Sequence, residues 1–244
     1  MSKICILIHG YLSDYRDFTA LPAHLLNNYD QMIMLNIPGH QEGNINEFTR
    51  DRVFDYINNE LTKVQYDKEG NLNTIDVIGF SLGGALTWYI ARHYKLRKIV
   101  LLSPALYYLN FGLVIDRNKY ISKLKKLPKE EQDLAIKKLK QREKEARKFA
   151  IENTIHKFKV KNAIEFIKII NKIRSEKTDI NVPMLLIRGK LDELIQKKII
   201  NVCLKHNIND CKVVYEPEDI GHMMLRTDRA EEIITKIKDF LEDK

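Results

Sequence analysis

One short stretch, residues 77–84, constrains the fold of this chain more than any other. It reads Val-Ile-Gly-Phe-Ser-Leu-Gly-Gly, so an apolar run ends in a serine that has a glycine two positions before and two positions after it. Residues 73–78 have the pattern of a buried strand and residues 85–94 that of a helix, which places Ser81 at a strand-to-helix turn. A nucleophile elbow has this pattern, because its strained turn leaves room only for small residues beside the serine. The motif alone also fits an ordinary glycine-rich turn with a serine N-cap.

The rest of the chain surrounds this stretch with alternating strands and helices. The pattern predicts strands at 3–8, 32–37, 73–78, 98–102, 182–187 and 211–215, and helices at 14–29, 46–66, 85–94, 195–205 and 227–241. Asn46 is the expected N-cap of the second helix. Such alternation is typical of an α/β fold with a mostly parallel sheet, here of about six strands, and helices on both faces. Functional groups are then expected at the carboxyl ends of the strands.

Residues 106–179 interrupt this alternation. They contain no convincing strand and are rich in the helix formers Lys, Glu, Leu and Ala. We therefore predict one α/β core, formed by residues 1–105 and 180–244, with a helical cap inserted at 106–179. The last cap helix repeats apolar residues at near-helical spacing, which predicts a face packed on the core. Its members are Val160, Ile164, Ile167, Ile170 and Ile173.

The basic character of the chain is concentrated in the predicted cap. The net charge is +8, yet residues 116–179 hold 20 Lys and Arg against 10 Asp and Glu, which leaves a slight negative excess elsewhere. We interpret residues 137–148 as a solvated helix face. Nucleic-acid binding is disfavoured, because glutamates are interleaved and no recognisable module is present. A weak contact between the cap and an anionic membrane surface remains an alternative.

Cysteine usage and hydropathy bound the location of the protein. The three cysteines, Cys5, Cys203 and Cys211, are odd in number and lack metal-ligand spacing, which fits a reducing cytoplasm without a metal site. The apolar run at residues 3–8 is too short for a signal peptide, and no stretch approaches the length of a membrane span. The sequence leaves the oligomeric state open.

Three chemically complementary groups follow predicted strands in the order Ser81, Asp192, His222. A serine hydroxyl needs a base to become a nucleophile at neutral pH, and a histidine base needs a carboxylate to fix its tautomer. This chain order is the one found in α/β-hydrolases. Glu193 and Asp219 are rival carboxylates, although Asp219 is close in sequence to His222 for facing its ring. His222 lies in a predicted loop with the sequence Gly-His-Met at 221–223.

The first predicted strand ends in His9, Gly10 and Tyr11. A glycine after a strand lets backbone amides turn toward a ligand, so the N–H groups of Tyr11 and Leu82 are the expected oxyanion donors. His9 competes as a catalytic base, but its position favours a role in shaping the loop. His40 follows Pro-Gly in a turn-rich loop, where substrate contact and a plain loop role are both open.

An apolar and aromatic stretch at residues 105–115 opens the predicted cap. Packing in the core is one interpretation of this stretch, and lining an acyl pocket is the other. The candidate pocket residues, from here and from the loops already described, are His9, Gly10, Tyr107, Leu109, Phe111 and Met223.

Together these motifs resemble α/β-hydrolases with a helical cap, of the carboxylesterase or monoacylglycerol-lipase type, over nearly the whole chain. The resemblance implies that Ser81 is the nucleophile, His222 the general base and acid, and Asp192 its orienting carboxylate. It also implies that the amides of Tyr11 and Leu82 form the oxyanion hole. A serine at the elbow separates the chain from haloalkane dehalogenases and epoxide hydrolases, which resemble it but carry an aspartate there.

The activity implied is that of a cytoplasmic serine hydrolase that cleaves a small or medium acyl ester through an acyl-serine, without cofactor or metal. A thioesterase, or a lyase or hydrolase of a carbon–carbon bond in an anionic metabolite, is the alternative within the fold. A non-catalytic ligand-binding protein is the alternative from another class.

Overall fold

The computed structural model describes residues 1–40, 47–107, 122, 125, 128–137, 140 and 160–242. Its centre is a six-stranded sheet in the order β2-β1-β3-β4-β5-β6, in which every neighbouring pair is parallel. The strands are β1 (Lys3–Ile8), β2 (Gln31–Leu35), β3 (Thr74–Phe80), β4 (Lys98–Leu102), β5 (Met184–Ile187) and β6 (Lys212–Tyr215). The predicted parallel α/β architecture is therefore confirmed.

Helices cover both faces of this sheet. They are α1 (Leu21–Leu25), α2 (Arg50–Gln65), α3 (Leu82–His93), α4 (Val160–Ser175), α5 (Lys198–His206) and α6 (Ala230–Glu242). Side chains alternate between the faces of a strand, so Ile6 and Val77 join one apolar cluster while Leu7 and Ile78 join another. The first cluster includes residues of α2 to α5, and the second includes residues of α1 and α6. Burial on both faces explains why the inner strands β1, β3, β4 and β5 are mostly apolar, whereas the edge strands β2 and β6 are partly exposed.

The predicted helix at 14–29 is wrong as a single element. The segment forms a 3-10 turn (Tyr15–Phe18), the short helix α1 and a second 3-10 turn (Leu26–Asn28). Thr19 ends the first turn with a positive φ of 46°, and Pro22, which has no N–H to donate, lies in the first turn of α1. The chain therefore restarts its helix at Leu21.

Helix α2 begins later than predicted. Its N-cap is Thr49, whose side chain accepts a hydrogen bond from the N–H of Arg52. The predicted cap residue, Asn46, lies outside the described residues. The N–H of Arg50, the first residue of α2, donates to the carboxylate of Glu165 on α4 at 2.8 Å. A backbone N–H at the start of α2, which has no acceptor within the helix, thereby finds one in a residue of the predicted cap.

The inward face of α4 agrees only in part with the predicted one, because Ile170 and Ile173 are buried as predicted and the other three members are not. Ile169, Ile170 and Ile173 are fully buried, whereas Val160, Ile164 and Ile167 are 71%, 49% and 41% exposed. Isoleucine occupies much of the circumference of this helix, so spacing alone could not select a face. Its position is fixed at both ends, because Glu165 binds α2 and Arg92 of α3 donates to the carbonyl of Ile173 at 2.6 Å.

The described part of the segment between β4 and β5 is helical at residues 129–137 and in α4, as expected of a cap. The domain boundaries at 105–106 and 179–180 remain a prediction. Leu109 and Phe111 lie outside the described residues. Within the described ranges, no helix has the length and apolar composition needed to cross a membrane.

Candidate active site

The end of β3 forms a sharp turn around Ser81. Ser81 has φ 53° and ψ −112°, a backbone conformation that non-glycine residues rarely adopt. A Cβ atom at Gly79 would overlap with the carbonyl oxygen of Gly83, and a Cβ at Gly83 would overlap with that of Ile8. Both glycines are therefore required by close backbone contacts, as in a nucleophile elbow. The Ser81 side chain lies at the carboxyl edge of the sheet in a half-buried residue.

Hydrogen bonds hold the strained turn in place. The N–H of Ser81 donates to the carbonyl of Leu102 at 2.9 Å, and the Ser81 carbonyl accepts from Ala85 and Ala105. Leu82 is the first residue of α3, so its N–H has no acceptor within the helix. The positive end of the helix dipole and this free N–H favour negative charge beside Ser81.

Asp192 and His222 form a buried pair on the loops that follow β5 and β6. His222 Nδ1 lies 3.1 Å from Asp192 Oδ1 and 3.0 Å from Oδ2, and the two residues are 4% and 0% exposed. Asp192 Oδ1 also accepts the N–H groups of Leu194 and Ile195. The two loops are bound to each other, since Leu191 N–H donates to Ile220 O at 3.0 Å. The pair predicted from the sequence is therefore brought into contact.

The contact between Asp192 and His222 shifts the pKa values of both residues. Burial alone would favour neutral forms, but the His222 charge and its hydrogen bond outweigh it and hold the pKa of Asp192 below its usual value. Burial likewise works against protonation of His222, but the charge and hydrogen bond of Asp192, with Glu193 and Asp17, raise the pKa of His222 above 6.5. An acceptor at Nδ1 leaves Nε2 as the nitrogen that can take a proton.

The two rival carboxylates occupy other positions. Glu193 Oε2 accepts from the backbone N–H of His222 at 3.1 Å, so it contacts the main chain of the histidine and Asp192 contacts its ring. Burial raises the pKa of Glu193. Asp219 is paired with Arg229 at 2.5 Å. The geometry favours Asp192 as the orienting acid.

The ring of His222 lies next to the elbow. Its centroid is 4.9 Å from that of Phe80, the residue directly before Ser81. Loops after β3, β5 and β6 therefore converge at one edge of the sheet. The buried histidine–aspartate pair and the strained turn of Ser81 thus lie at the same edge of the sheet.

The loop after β1 borders the same edge. His9 Nε2 accepts the N–H of Ile37 at 3.0 Å, so Nδ1 is the protonated nitrogen and donates to the Gly10 carbonyl at 2.8 Å. Both nitrogens of this ring, which is 1% exposed, thus contact the backbone. This supports the loop-shaping role of His9 over that of a base or a pocket wall. The Gly10 carbonyl and the Tyr11 N–H share one peptide group, so His9 also orients the expected oxyanion donor.

Aromatic rings pack above this loop. The Tyr11 ring lies 5.7 Å from His40, 5.1 Å from Phe48 and 5.0 Å from Phe166 of α4. Burial raises the pKa of the Tyr11 phenol to about 12. Phe166 thus connects the predicted cap to the loop after β1. His40 is 6% exposed and belongs to this cluster, a position that favours its loop role.

The remaining pocket candidates lie at two separate places. Tyr107 is half-buried between two cations, with Arg174 of α4 4.3 Å and Lys198 of α5 4.2 Å from its ring centroid. Met223 directly follows His222 and packs against the second apolar cluster. Sequence reasoning missed Asp17, which is 3% exposed and accepts the N–H of Gly10 in the loop after β1, because its sequence pattern is that of a plain helix residue.

The parallel sheet, the strained serine and the buried histidine–aspartate pair define the chain as an α/β hydrolase. The model of the Hydrolase_4 family, described as serine aminopeptidase S33, matches residues 1–228, and the chain belongs to this family. A comparison with curated proteins finds no match.

Solved structures of lipolytic enzymes share the fold. A structure from the metagenome-derived lipases and esterases LipS and LipT is 14% identical, with 99% of this chain and 96% of that chain covered and a TM-score of 0.69. The monoacylglycerol lipase of Paleococcus ferrophilus is 18% identical, with 98% and 93% covered and a TM-score of 0.69. The esterase EaEST of Exiguobacterium antarcticum is 15% identical, with 99% and 92% covered and a TM-score of 0.64. At these identities the similarity establishes the fold.

Proposed function

We propose that this protein is a serine esterase that hydrolyses carboxylic esters through an acyl-enzyme on Ser81. The observation that carries the proposal is the buried Asp192–His222 pair, whose ring lies beside the residue that precedes the strained serine. A merely structural histidine would not need a buried carboxylate at one ring nitrogen together with a strained serine nearby.

In the proposed reaction, Ser81 Oγ attacks the ester carbonyl carbon while His222 Nε2 accepts the hydroxyl proton. Asp192 stabilises the imidazolium through its hydrogen bond to Nδ1. The N–H groups of Tyr11 and Leu82 donate to the oxyanion. When the intermediate collapses, the C–O bond to the alcohol breaks and His222 returns its proton to the leaving alkoxide. In the second half, water attacks the acyl carbon while His222 takes its proton; the bond between this carbon and Ser81 Oγ then breaks, His222 returns the proton to Oγ, and the carboxylic acid leaves.

We propose small or medium acyl esters as substrates. The half-buried rings of Tyr11 and Phe166, packed together at 5.0 Å beside the loop after β1, provide an apolar surface where an acyl chain would lose contact with water. The similar solved structures of a monoacylglycerol lipase and of an esterase support the same bond type.

One observation favours a second candidate, hydrolysis of an anionic thioester or of a carbon–carbon bond in an anionic metabolite. Arg174 and Lys198 flank Tyr107 at the junction of the core and the cap segment. Two exposed cations there would attract a carboxylate or phosphate on the substrate.

A substrate panel separates the esterase from the thioesterase candidate. We expect p-nitrophenyl acetate, butyrate and octanoate to be hydrolysed by the native protein and not by Ser81→Ala, with circular dichroism to confirm the fold of the variant. Acyl-thioesters and an aminoacyl p-nitroanilide serve as comparison substrates. Turnover of thioesters or the anilide without turnover of oxygen esters would contradict the esterase. A folded native protein that turns over none of them, but binds an ester analogue in calorimetry, would instead indicate a ligand-binding protein.

A further inference from the structure

Asp17 is a buried carboxylate next to the loop that follows β1. It lies in the 3-10 turn Tyr15–Phe18 and is 3% exposed. Its Oδ2 accepts the N–H of Gly10 at 3.0 Å, and its Oδ1 accepts the hydroxyl of Ser13 at 2.5 Å. Because both oxygens act as acceptors, the contacts fit the ionised carboxylate. A charged group so deeply buried needs such partners to offset its desolvation.

The turn that carries Asp17 is bound to the loop that carries His222. Thr19 Oγ1 donates to the carbonyl of Leu225 at 3.1 Å, and Arg226 Nη2 donates to the carbonyl of Arg16 at 2.9 Å. Leu225 and Arg226 belong to the 3-10 turn Met224–Arg226, which begins two residues after His222. The turn Tyr15–Phe18 therefore binds both the loop after β1, through Asp17, and the loop that carries His222, through the contacts of Arg16 and Thr19.

We propose that Asp17 is a positioning residue of the esterase reaction, which holds the Gly10–Tyr11 backbone in the conformation that presents the Tyr11 N–H to the oxyanion. The inference rests on the proposed function. Asp17 fixes the peptide group before Gly10, and the hydrogen bond from His9 fixes the one after it. With consecutive peptide groups held, the donor needs no reorganisation when charge develops on the substrate oxygen.

The same carboxylate acts on the base through its charge. Three carboxylates raise the pKa of His222, namely Asp192, Glu193 and Asp17, against the opposing effect of burial. The charged or titratable groups that act on Asp17 itself are His9 and Arg226, and burial is the main cause of its raised pKa. Loss of the negative charge at Asp17 should thus make His222 easier to deprotonate.

Two substitutions test this role against a matched control. Asp17→Asn removes the charge but keeps one acceptor oxygen and the shape of the side chain, and Asp17→Ala removes both hydrogen bonds. Asp14→Asn is the control, because Asp14 lies in the same loop, loses the same charge and caps the turn through Arg16 N–H. The measurements are kcat and KM for p-nitrophenyl butyrate and the inhibition constant of an alkyl trifluoromethyl ketone, whose serine adduct carries an oxyanion.

We expect Asp17→Ala to lower kcat by about ten- to a hundredfold, below the ~10²–10³ that loss of a whole oxyanion donor costs, with KM changed less than about threefold. The trifluoromethyl ketone should weaken by a similar factor. Asp17→Asn should lower kcat less and move the acid limb of the kcat/KM profile to lower pH. Asp14→Asn should leave kcat and inhibition within about twofold of the native protein.

Native kcat and ketone affinity in Asp17→Asn together with an unmoved acid limb would overturn the inference, even if Asp17→Ala fails to fold. Equal losses in Asp14→Asn would overturn it as well, because they would indicate a general disturbance of the loop. If the native protein neither hydrolyses esters nor reacts with a fluorophosphonate, the proposed function itself fails. Normal native activity with unaffected Asp17 variants would contradict only the positioning role.

Discussion

The rings of Phe80 and His222 lie 4.9 Å apart, although 142 positions separate these residues in the sequence. Phe80 is the last residue of β3, so the contact connects the elbow to the loop after β6. His222 is held from the other side by Asp192, whose loop follows β5. The His222 ring is thus held between the end of β3 and the loop after β5, which would give the proposed triad a rigid support.

Single substitutions can show whether Asp192 or Glu193 is the carboxylate that orients His222. Asp192→Asn should lower kcat by about four orders of magnitude, because an amide at this position disfavours the required tautomer of His222. Glu193→Gln, the neighbouring control, should lose less than about tenfold, since it contacts only the backbone of the histidine. Steady-state kinetics on one p-nitrophenyl ester measures both. A loss below tenfold in Asp192→Asn would transfer the role to Glu193 or Asp219.

The pH dependence should follow the raised pKa of His222. The base must be neutral to accept the serine proton, so kcat/KM should rise with pH through the His222 pKa and reach half its plateau above pH 6.5. Glu193→Gln removes a negative charge that favours the imidazolium, and the midpoint should move to lower pH. A profile of kcat/KM between pH 5 and 9 in constant ionic strength is the measurement. A midpoint that moves upward in Glu193→Gln would contradict this electrostatic account.

Gly83→Ala should destabilise the protein far more than Gly70→Ala. The new Cβ at position 83 overlaps with the Ile8 carbonyl, in a place where the backbone on both sides is buried, and should cost about 3 kcal/mol or more. Gly70 has a positive φ of 83° but no atom within 4 Å of the added Cβ, so its cost should be about 1 kcal/mol. Urea unfolding gives both free energies of unfolding. Equal losses would contradict this prediction, because they would show that the backbone at Ile8 and Gly83 can move apart at little cost.

Two isoleucines of α4 test which face of this helix packs on the core. Ile173 is fully buried, and Ile173→Ala should lower the free energy of unfolding by about 2–5 kcal/mol. Ile164 is 49% exposed, and Ile164→Ala should change it by less than about 0.5 kcal/mol. Urea unfolding with the same spectroscopic probe measures both variants. A larger loss at Ile164 than at Ile173 would contradict the orientation of α4 seen in the structure.

The sheet was predictable because each strand combines apolar residues with a clear end. The bounds of β1 and β4 agree with the predicted ones, since Gly10 and Pro104 terminate uninterrupted apolar runs. The sequence could predict that Ser81, Asp192 and His222 lie at the same edge of the sheet, because parallel strands place their carboxyl ends at one edge. That their chemistry is catalytic stays a prediction.

Other features depend on contacts that a local pattern does not encode. The break at Thr19 follows from a backbone conformation that this residue type rarely adopts. Glu165 on α4 is buried because its carboxylate accepts the N–H of Arg50 at the start of α2, and this partner lies 115 residues earlier in the chain. The burial of Asp17 could not be predicted, because its neighbours in the sequence are largely polar and the donor it binds becomes known only once the loop is folded.

The most direct test of the central claim is to locate a covalent adduct. The native protein, treated with a fluorophosphonate and digested, should carry the phosphonyl group on Ser81 when its peptides are sequenced by tandem mass spectrometry. Ser81→Ala should remain unlabelled, and His222→Ala should be labelled much more slowly, because its serine lacks the base that activates it. A label on another residue, or no label on a folded native protein, would contradict the assignment of Ser81 as the nucleophile.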